Sequence, residues 1–273
     1  MNSNKERVYE FWNDAACGEN LLLCDTSREG YEKQAKARYG LEPYILPFAD
    51  FASTKQLRVL EIGVGLGADH QRFAEAGANL SGIDLTERAI VHTKKRLHAW
   101  GLSSDLKVGD AEHLDFAANT FDLVYSWGVL HHSPDTFRAV QEVWRVLKPG
   151  GHAKIMIYNK YSIVGLMLWV RYALFRLKPW TSLVEIYANY LERPGTKAYS
   201  APEAEFLFQA FDNVKIRNVL THGDLLESGA GQRHQGPLLS FARKVWPRSI
   251  IRRYFQSAGL FMLIDATKPS CAE

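Results

Sequence analysis

Cysteine is scarce in this chain: Cys17, Cys24 and Cys271 are the only three among 273 residues. Their spacing forms neither a metal-ligand set nor a disulfide framework. Long apolar runs are missing as well. The longest, residues 163–170, is too short to span a bilayer and stops at Arg171. The opening Met1-Asn-Ser-Asn-Lys-Glu-Arg leads into no apolar signal core. Nor does charge of one sign dominate, since 33 basic and 30 acidic residues leave a net charge of +3. That balance does not single out nucleic acid as a partner. Together these absences predict a reduced, cytoplasmic protein with no transmembrane segment. The length suits one large α/β domain, or one domain with insertions, able to bury a sizeable core.

What the chain does have is a strand–glycine–helix unit around Glu61. Residues 57–62 read as a short, mostly apolar strand, followed by Gly63, Gly65 and Gly67 and then a helix to about residue 76, where Gly77 can end it. Glycine takes positive φ without cost and lets a ligand approach the main chain with no Cβ in the way. The helix N-terminus then points its unpaired N–H groups at whatever binds there. A tight turn with no ligand fits the same residues. So does dinucleotide binding, because Gly63-x-Gly65-x-x-Ala68 satisfies the looser form of that fingerprint. The residues downstream discriminate between them.

Residues 79–84 form the next predicted strand and end on Asp84, where an acidic side chain can accept hydrogen bonds from both hydroxyls of a ribose. Capping the following helix is the plainer role for it. Thr86 is the predicted N-cap of that helix, which runs to about Trp100. A third strand at 106–108 leads into Gly109-Asp110-Ala111-Glu112. A fourth, 121–126, leads into Trp127-Gly-Val-Leu-His131-His132. Ser133 and Pro134 are expected to open a helix as N-cap and first residue. It ends at Leu147-Lys-Pro-Gly-Gly151, before a fifth strand at 153–158.

Five stretches occur in this order: EIGVGLG from Glu61, GID ending at Asp84, GDAEHLDF from Gly109, FDLVYSWGVLHHSPD from Phe121, and LKPGG from Leu147. The series resembles the class I S-adenosylmethionine-dependent methyltransferases, in the core often described as type 11 or type 25, over roughly residues 57–157. A nicotinamide-dependent oxidoreductase is not expected to carry the last three, yet it stays as a rival, beside a non-catalytic adenosylmethionine-binding module. The resemblance implies a Rossmann-like, doubly wound α/β fold: seven strands, mostly parallel, with an antiparallel last strand. It implies S-adenosylmethionine as cofactor and methyl transfer to an oxygen or nitrogen nucleophile. Gly63, Gly65 and Gly67 are then expected beside the methionine portion, with Glu61 fixing its amino end. Asp84 is expected at the ribose, and Asp110 and Ala111 at the adenine. Leu85, Ser126 and Trp127 join the cofactor-binding set. No metal is required, because the reaction is an in-line displacement that depends on positioning and on removal of a proton.

The Leu-His-x-Ser pattern at 130–133 is similar to that of phosphoethanolamine methyltransferases, where a histidine here pairs with an N-terminal tyrosine. On that pattern His131 is the catalytic match, with Tyr9 or Tyr31 as partner. His222 is the second catalytic candidate, with Asp224 placed to fix its tautomer, and His234 sits in a polar glycine loop. For each histidine a hydrogen bond that merely holds a loop is the alternative.

Outside the resemblance the chain is longer than a minimal fold needs. Residues 1–50 are rich in aromatics, with a helix expected at 29–39 and Gly40 as its stop. Helices are expected at 162–177, 181–191 and 201–211, and strands at 212–220 and 259–267. Loops that leave the C-terminal ends of parallel strands surround the ligand crevice. The prediction is therefore one domain over 1–273, with cap elements from 1–50, 158–201 and 223–256 roofing a small or medium-sized acceptor. Residues 162–180 and 233–253 contain basic residues and no acidic one. They suit an anionic or lipid-linked acceptor, or weak association with a membrane surface.

Overall fold

The computed structural model describes residues 3–192, 195–227 and 237–270; Arg233, His234 and Cys271 lie outside the described residues. Four helices precede the first strand: α1 (Ser3–Asp14), α2 (Glu19–Leu22), α3 (Arg28–Leu41) and α4 (Ile45–Ala49). The α3 helix begins where the Ser27 hydroxyl accepts from the Gly30 N–H, and it passes through Gly40 without stopping. Strands and helices then alternate through β1 (Arg58–Ile62), α5 (Ala68–Glu75), β2 (Asn79–Asp84), α6 (Glu87–Ala99) and β3 (Asp105–Val108). Next come β4 (Phe121–Trp127), α7 (Thr136–Val146) and β5 (Leu147–Tyr158). Beyond Tyr158 lie α8 (Ile163–Tyr172), α9 (Leu183–Tyr190), α10 (Ala201–Leu207), β6 (Asp212–Val219), α11 (Pro237–Val245), α12 (Arg248–Tyr254) and β7 (Phe261–Thr267).

Among the described residues the strands form one seven-stranded sheet, in the order β3-β2-β1-β4-β5-β7-β6. The pairs among β1 to β5 are parallel, whereas β7 runs antiparallel to both of its neighbours. This is the doubly wound arrangement expected from the sequence. Its central strands are buried on both faces, which is why β1 and β4 read as nearly continuous apolar runs rather than alternating ones. One core packs α7 and α10 against one face of the sheet, through Val140, Val143, Ala204 and Phe208. Another packs α4 and α5 against the other face, through Ile45, Ala49 and Phe73. The strand order reverses between β1 and β4, and ligands of such sheets bind outside the C-terminal strand ends at that point.

Three local expectations fail for identifiable reasons. The helix after β4 starts at Thr136, with Asp135 rather than Ser133 as its cap. Glu112 takes both the Ser133 hydroxyl (2.5 Å) and the Asp135 N–H (2.8 Å), which fixes residues 133–135 against it and leaves the Asp135 carboxylate to accept from the Arg138 N–H of the helix. The LKPGG stretch belongs to β5: Gly150 N–H donates to Lys268 O and Lys268 N–H to Gly151 O. Finally, the helix expected over 162–177 ends at Tyr172, and a 3₁₀ turn at Leu174–Arg176 leads to Leu177 in left-handed backbone (φ 56°).

The N-terminal helices are tied to the sheet by buried polar groups. The fully buried Arg96 on α6 donates to Gln34 and Tyr31 of α3, and to Gln71 and the Leu66 carbonyl beside α5, all at 2.6–2.8 Å. Burial pulls this guanidinium down to about 10. Glu19 receives two bonds from Arg88, at 2.7 and 2.6 Å, and these hold its carboxyl down to about 2.

Candidate functional site

Gly63, Gly65 and Gly67 all take positive φ (83°, 52° and 75°), and Gly67 caps α5. The first two are required for different reasons. A Cβ on Gly63 would lie 2.1 Å from Cγ2 of Val129, inside the wall, whereas a Cβ on Gly65 would meet nothing within 4 Å. Gly65 therefore leaves open a space that a ligand can enter. Gly63→Ala combines left-handed strain of about 1–2 kcal/mol with overpacking of about 1–3 kcal/mol. Gly65→Ala carries the strain alone, but places a methyl where the ligand would lie. Urea denaturation should find Gly63→Ala the less stable of the two, while calorimetry should show that Gly65→Ala, though better folded, binds S-adenosylhomocysteine poorly. Equal stabilities would refute this account of the turn.

Around the turn the predicted residues come together. Asp84, at the end of β2, accepts from Gly65 N–H (3.2 Å) through Oδ2, and from the Thr86 N–H (3.0 Å) and hydroxyl (2.9 Å) through Oδ1. Its enclosed position pushes the carboxyl up, and those donors oppose the shift. Glu61 is buried with Oε2 at 2.8 Å from His70 Nδ1, and His70 Nε2 lies 2.7 Å from the Ser104 hydroxyl. Burial holds His70 uncharged, down at about 3, and pushes Glu61 up, so a single proton serves the contact between them. Asp110 accepts from Lys5 Nζ at 2.5 Å, and the same ammonium reaches Glu112 at 2.5 Å.

Glu61, the three glycines, Asp84, Leu85, Asp110, Ala111, Trp127 and His222 all line a single cavity of about 990 Å³. All three expected cap segments contribute to it, Val8, Trp12 and Leu22 from the first, Met167, Arg171 and Glu192 from the second, and Leu239 and Trp246 from the third. Two predicted residues are placed elsewhere. Ser126 is fully buried and donates to the Ile62 carbonyl at 3.0 Å, bracing β4 on β1. His131 is also fully buried and stands behind the wall, its ring 4.0 Å from that of Tyr158 and 4.2 Å from that of His132.

Of the two adjacent histidines, the one in the cavity wall is His132. The 3₁₀ turn at Leu130–His132 separates successive side chains by about 120°, so the two neighbouring rings cannot share a direction. His132 Nε2 lies 3.2 Å from a carboxylate oxygen of Glu192, and Nδ1 lies 3.5 Å from the Thr196 hydroxyl. The ligand-type atoms of His131, His132 and Glu192 fall within 4.8 Å of one another. Neither proposed tyrosine partner lines this cavity. Tyr31 donates instead to the His92 carbonyl at 3.2 Å, under the Arg96 guanidinium. Tyr158, from the end of β5, occupies the place beside the histidines, and burial raises its phenol well above the usual range. Asp224 does not orient His222, because its oxygens accept from Thr221, Val164 and Leu260 at 2.8–3.1 Å and so join three loops.

Several wall residues lie outside the set singled out from the sequence. Asp69, in the first turn of α5, accepts from Arg38 (2.8 Å), Tyr39 (3.0 Å) and Tyr125 (2.9 Å). Trp127 donates to Glu42 at 3.2 Å. An aspartate in the first helical turn after a glycine turn is a signal that points to Asp69; nothing in the sequence marks Glu42 or Glu192.

Residues 60–155 match the family model described as a methyltransferase domain. Phosphoethanolamine N-methyltransferase 2 of Caenorhabditis elegans is 33% identical over 133 residues, covering 48% of this chain and 28% of that protein. Ubiquinone biosynthesis O-methyltransferase of Thiobacillus denitrificans is 33% identical over 150 residues, covering 54% of this chain and 63% of that one. The chain thus spans less than two thirds of either relative's length. Among solved structures, phosphoethanolamine N-methyltransferase 2 of Haemonchus contortus, with phosphomonomethylethanolamine and S-adenosylhomocysteine bound, aligns with a TM-score of 0.56 at 21% identity. That match covers 80% of this chain and 50% of the other, and it shows the fold alone.

Proposed function

We propose that this chain, whose residues 60–155 match a methyltransferase domain, transfers a methyl group from S-adenosylmethionine to an oxygen or nitrogen of a small or medium-sized acceptor held under its helical cap. One observation carries the reading: the glycine turn, the Asp84 carboxylate and His132 face the same 990 Å³ cavity. That volume is at the upper end of the roughly 300–1,000 Å³ typical of one ligand, so it can hold a cofactor with an acceptor beside it.

The open space at Gly65 and the carboxylate at the end of β2 fit an adenosyl ligand. When bound, that group supplies a methyl on a sulfonium centre. In this reading Gly63, Gly65, Gly67 and Glu61 hold the amino-acid portion, Asp84 and Leu85 the ribose, and Asp110 and Ala111 the adenine. Trp127 backs the site, fixed by Glu42. In this reading His132, with Nε2 at 3.2 Å from Glu192 and Nδ1 at 3.5 Å from the Thr196 hydroxyl, is the wall residue that takes the proton of an acceptor hydroxyl. His222 faces the acceptor end, where burial lowers its affinity for a proton and favours a neutral, hydrogen-bonding ring. We place the protein in the cytoplasm, where its free Cys17 and Cys24 stay reduced; no described helix is long and apolar enough to cross a membrane.

Calorimetry should find that S-adenosylhomocysteine binds and NAD does not, and methyl-labelled S-adenosylmethionine should pass label to a metabolite in a cell extract. Binding of NAD in place of S-adenosylhomocysteine would overturn the proposal.

A further inference from the structure

We propose that the mouth of the cavity is a docking surface for an anionic membrane, so that an apolar acceptor reaches the site from the lipid phase. The second half rests on reading the cavity as an acceptor site; the docking itself does not.

The rim of the cavity is unusual for a surface facing water. Phe11 of α1, Leu21 of α2, Leu166 of α8 and Phe175 of the following 3₁₀ turn each line the cavity, yet each is exposed. Single exposed apolar residues are ordinary, but four from separate elements converging on one opening are not. Directly after Phe175 the chain adds Leu177 and Trp180, 82% and 77% exposed. All seven residues from 174 to 180 are exposed. Leu177 keeps left-handed backbone there, a conformation that costs a leucine about 1–2 kcal/mol, and its side chain, being exposed, returns no core packing.

The charge on this face selects the partner. Arg171 lines the cavity, while Arg176 and Lys178 interleave with the exposed apolar residues, and no acidic residue occurs from 163 to 180. The third cap segment continues the pattern. Leu239, Ala242 and Trp246 line the cavity, and residues 237–255 carry five basic residues and no acidic one. Glu227 already holds Arg252, whereas among the described residues no carboxylate forms an ion pair with Lys178 or Lys244. Large apolar and aromatic tips set among lysines and arginines match a headgroup layer, in which apolar side chains enter the acyl boundary and cations remain with anionic phosphates.

The test is co-sedimentation of the full chain with vesicles of phosphatidylglycerol or phosphatidylcholine, at low and high salt. The expected result is binding to phosphatidylglycerol that weakens with salt and is much weaker on phosphatidylcholine. Leu177→Glu/Trp180→Glu touches no cavity-lining residue and should weaken partitioning by at least about tenfold. Its affinity for S-adenosylhomocysteine, read by calorimetry on the same sample, should not change. No binding to phosphatidylglycerol at low salt, or full binding by the double variant, overturns the docking surface; the first result would leave the rim as a face for a protein partner. Loss of S-adenosylhomocysteine binding by the unaltered chain would instead defeat the methyltransferase reading, while vesicle binding is still read separately.

Discussion

His132→Ala should lower turnover by roughly 10²–10⁴ with a hydroxyl acceptor, the range for loss of a general base, while affinity for S-adenosylhomocysteine hardly changes. The motivation is its place in the cavity wall with Glu192 at 3.2 Å from Nε2. Its neighbour supplies the internal control. His131 is fully buried against the Tyr158 ring, so its truncation acts first on packing. His131→Phe, which keeps an aromatic ring in that slot, should hold turnover within about tenfold, whereas His132→Phe should not. The reverse pattern would return the catalytic role to His131. Glu192→Gln separates positioning from protein folding: it should alter the pH profile of turnover, with little effect on thermal stability.

Asp84→Ala should weaken S-adenosylhomocysteine binding by roughly 10²–10⁴-fold. Two bonds to an ionised acceptor, each worth about 1.5–3 kcal/mol, would be lost. Part of any loss has a second origin, because Asp84 also accepts from Gly65 and Thr86 and so shapes the turn. Asp84→Asn distinguishes the two. It keeps one oxygen for the Thr86 donors and should preserve most of the stability, yet still bind weakly. Calorimetry showing full affinity in either folded variant would remove Asp84 from the site.

The parts of the fold legible in the sequence are those set by local rules. Glycines at positive φ, the Thr86 cap and the mostly apolar strands β1 and β4 depend on neighbours in the chain, so local pattern places the turn and the strand ends. The misplaced features depend on contacts that sequence spacing does not encode. Ser133 yields the cap to Asp135 while its hydroxyl is held by Glu112, 21 residues earlier. His131 and His132 are adjacent letters, and only the 3₁₀ turn decides which ring meets the cavity. Glu192 reaches His132 across 60 residues from a chance-looking Leu-Glu-Arg-Pro stretch, and Tyr158 displaces the N-terminal tyrosines because β5 ends beside that turn.

Lys5 gives the cavity a latch. Its ammonium bridges Asp110 and Glu112, and the helix that carries it also lines the cavity with Val8, Phe11 and Trp12. That stretch of the wall therefore has a fastening made of charge. In the proposed reading an adenine that draws on Asp110 would alter the grip on this helix, and added electrolyte, which screens such pairs over about 8–10 Å, would loosen it. Occupancy at Asp110 would then reach the Val8, Phe11 and Trp12 wall through one side chain, without any movement of the sheet beneath.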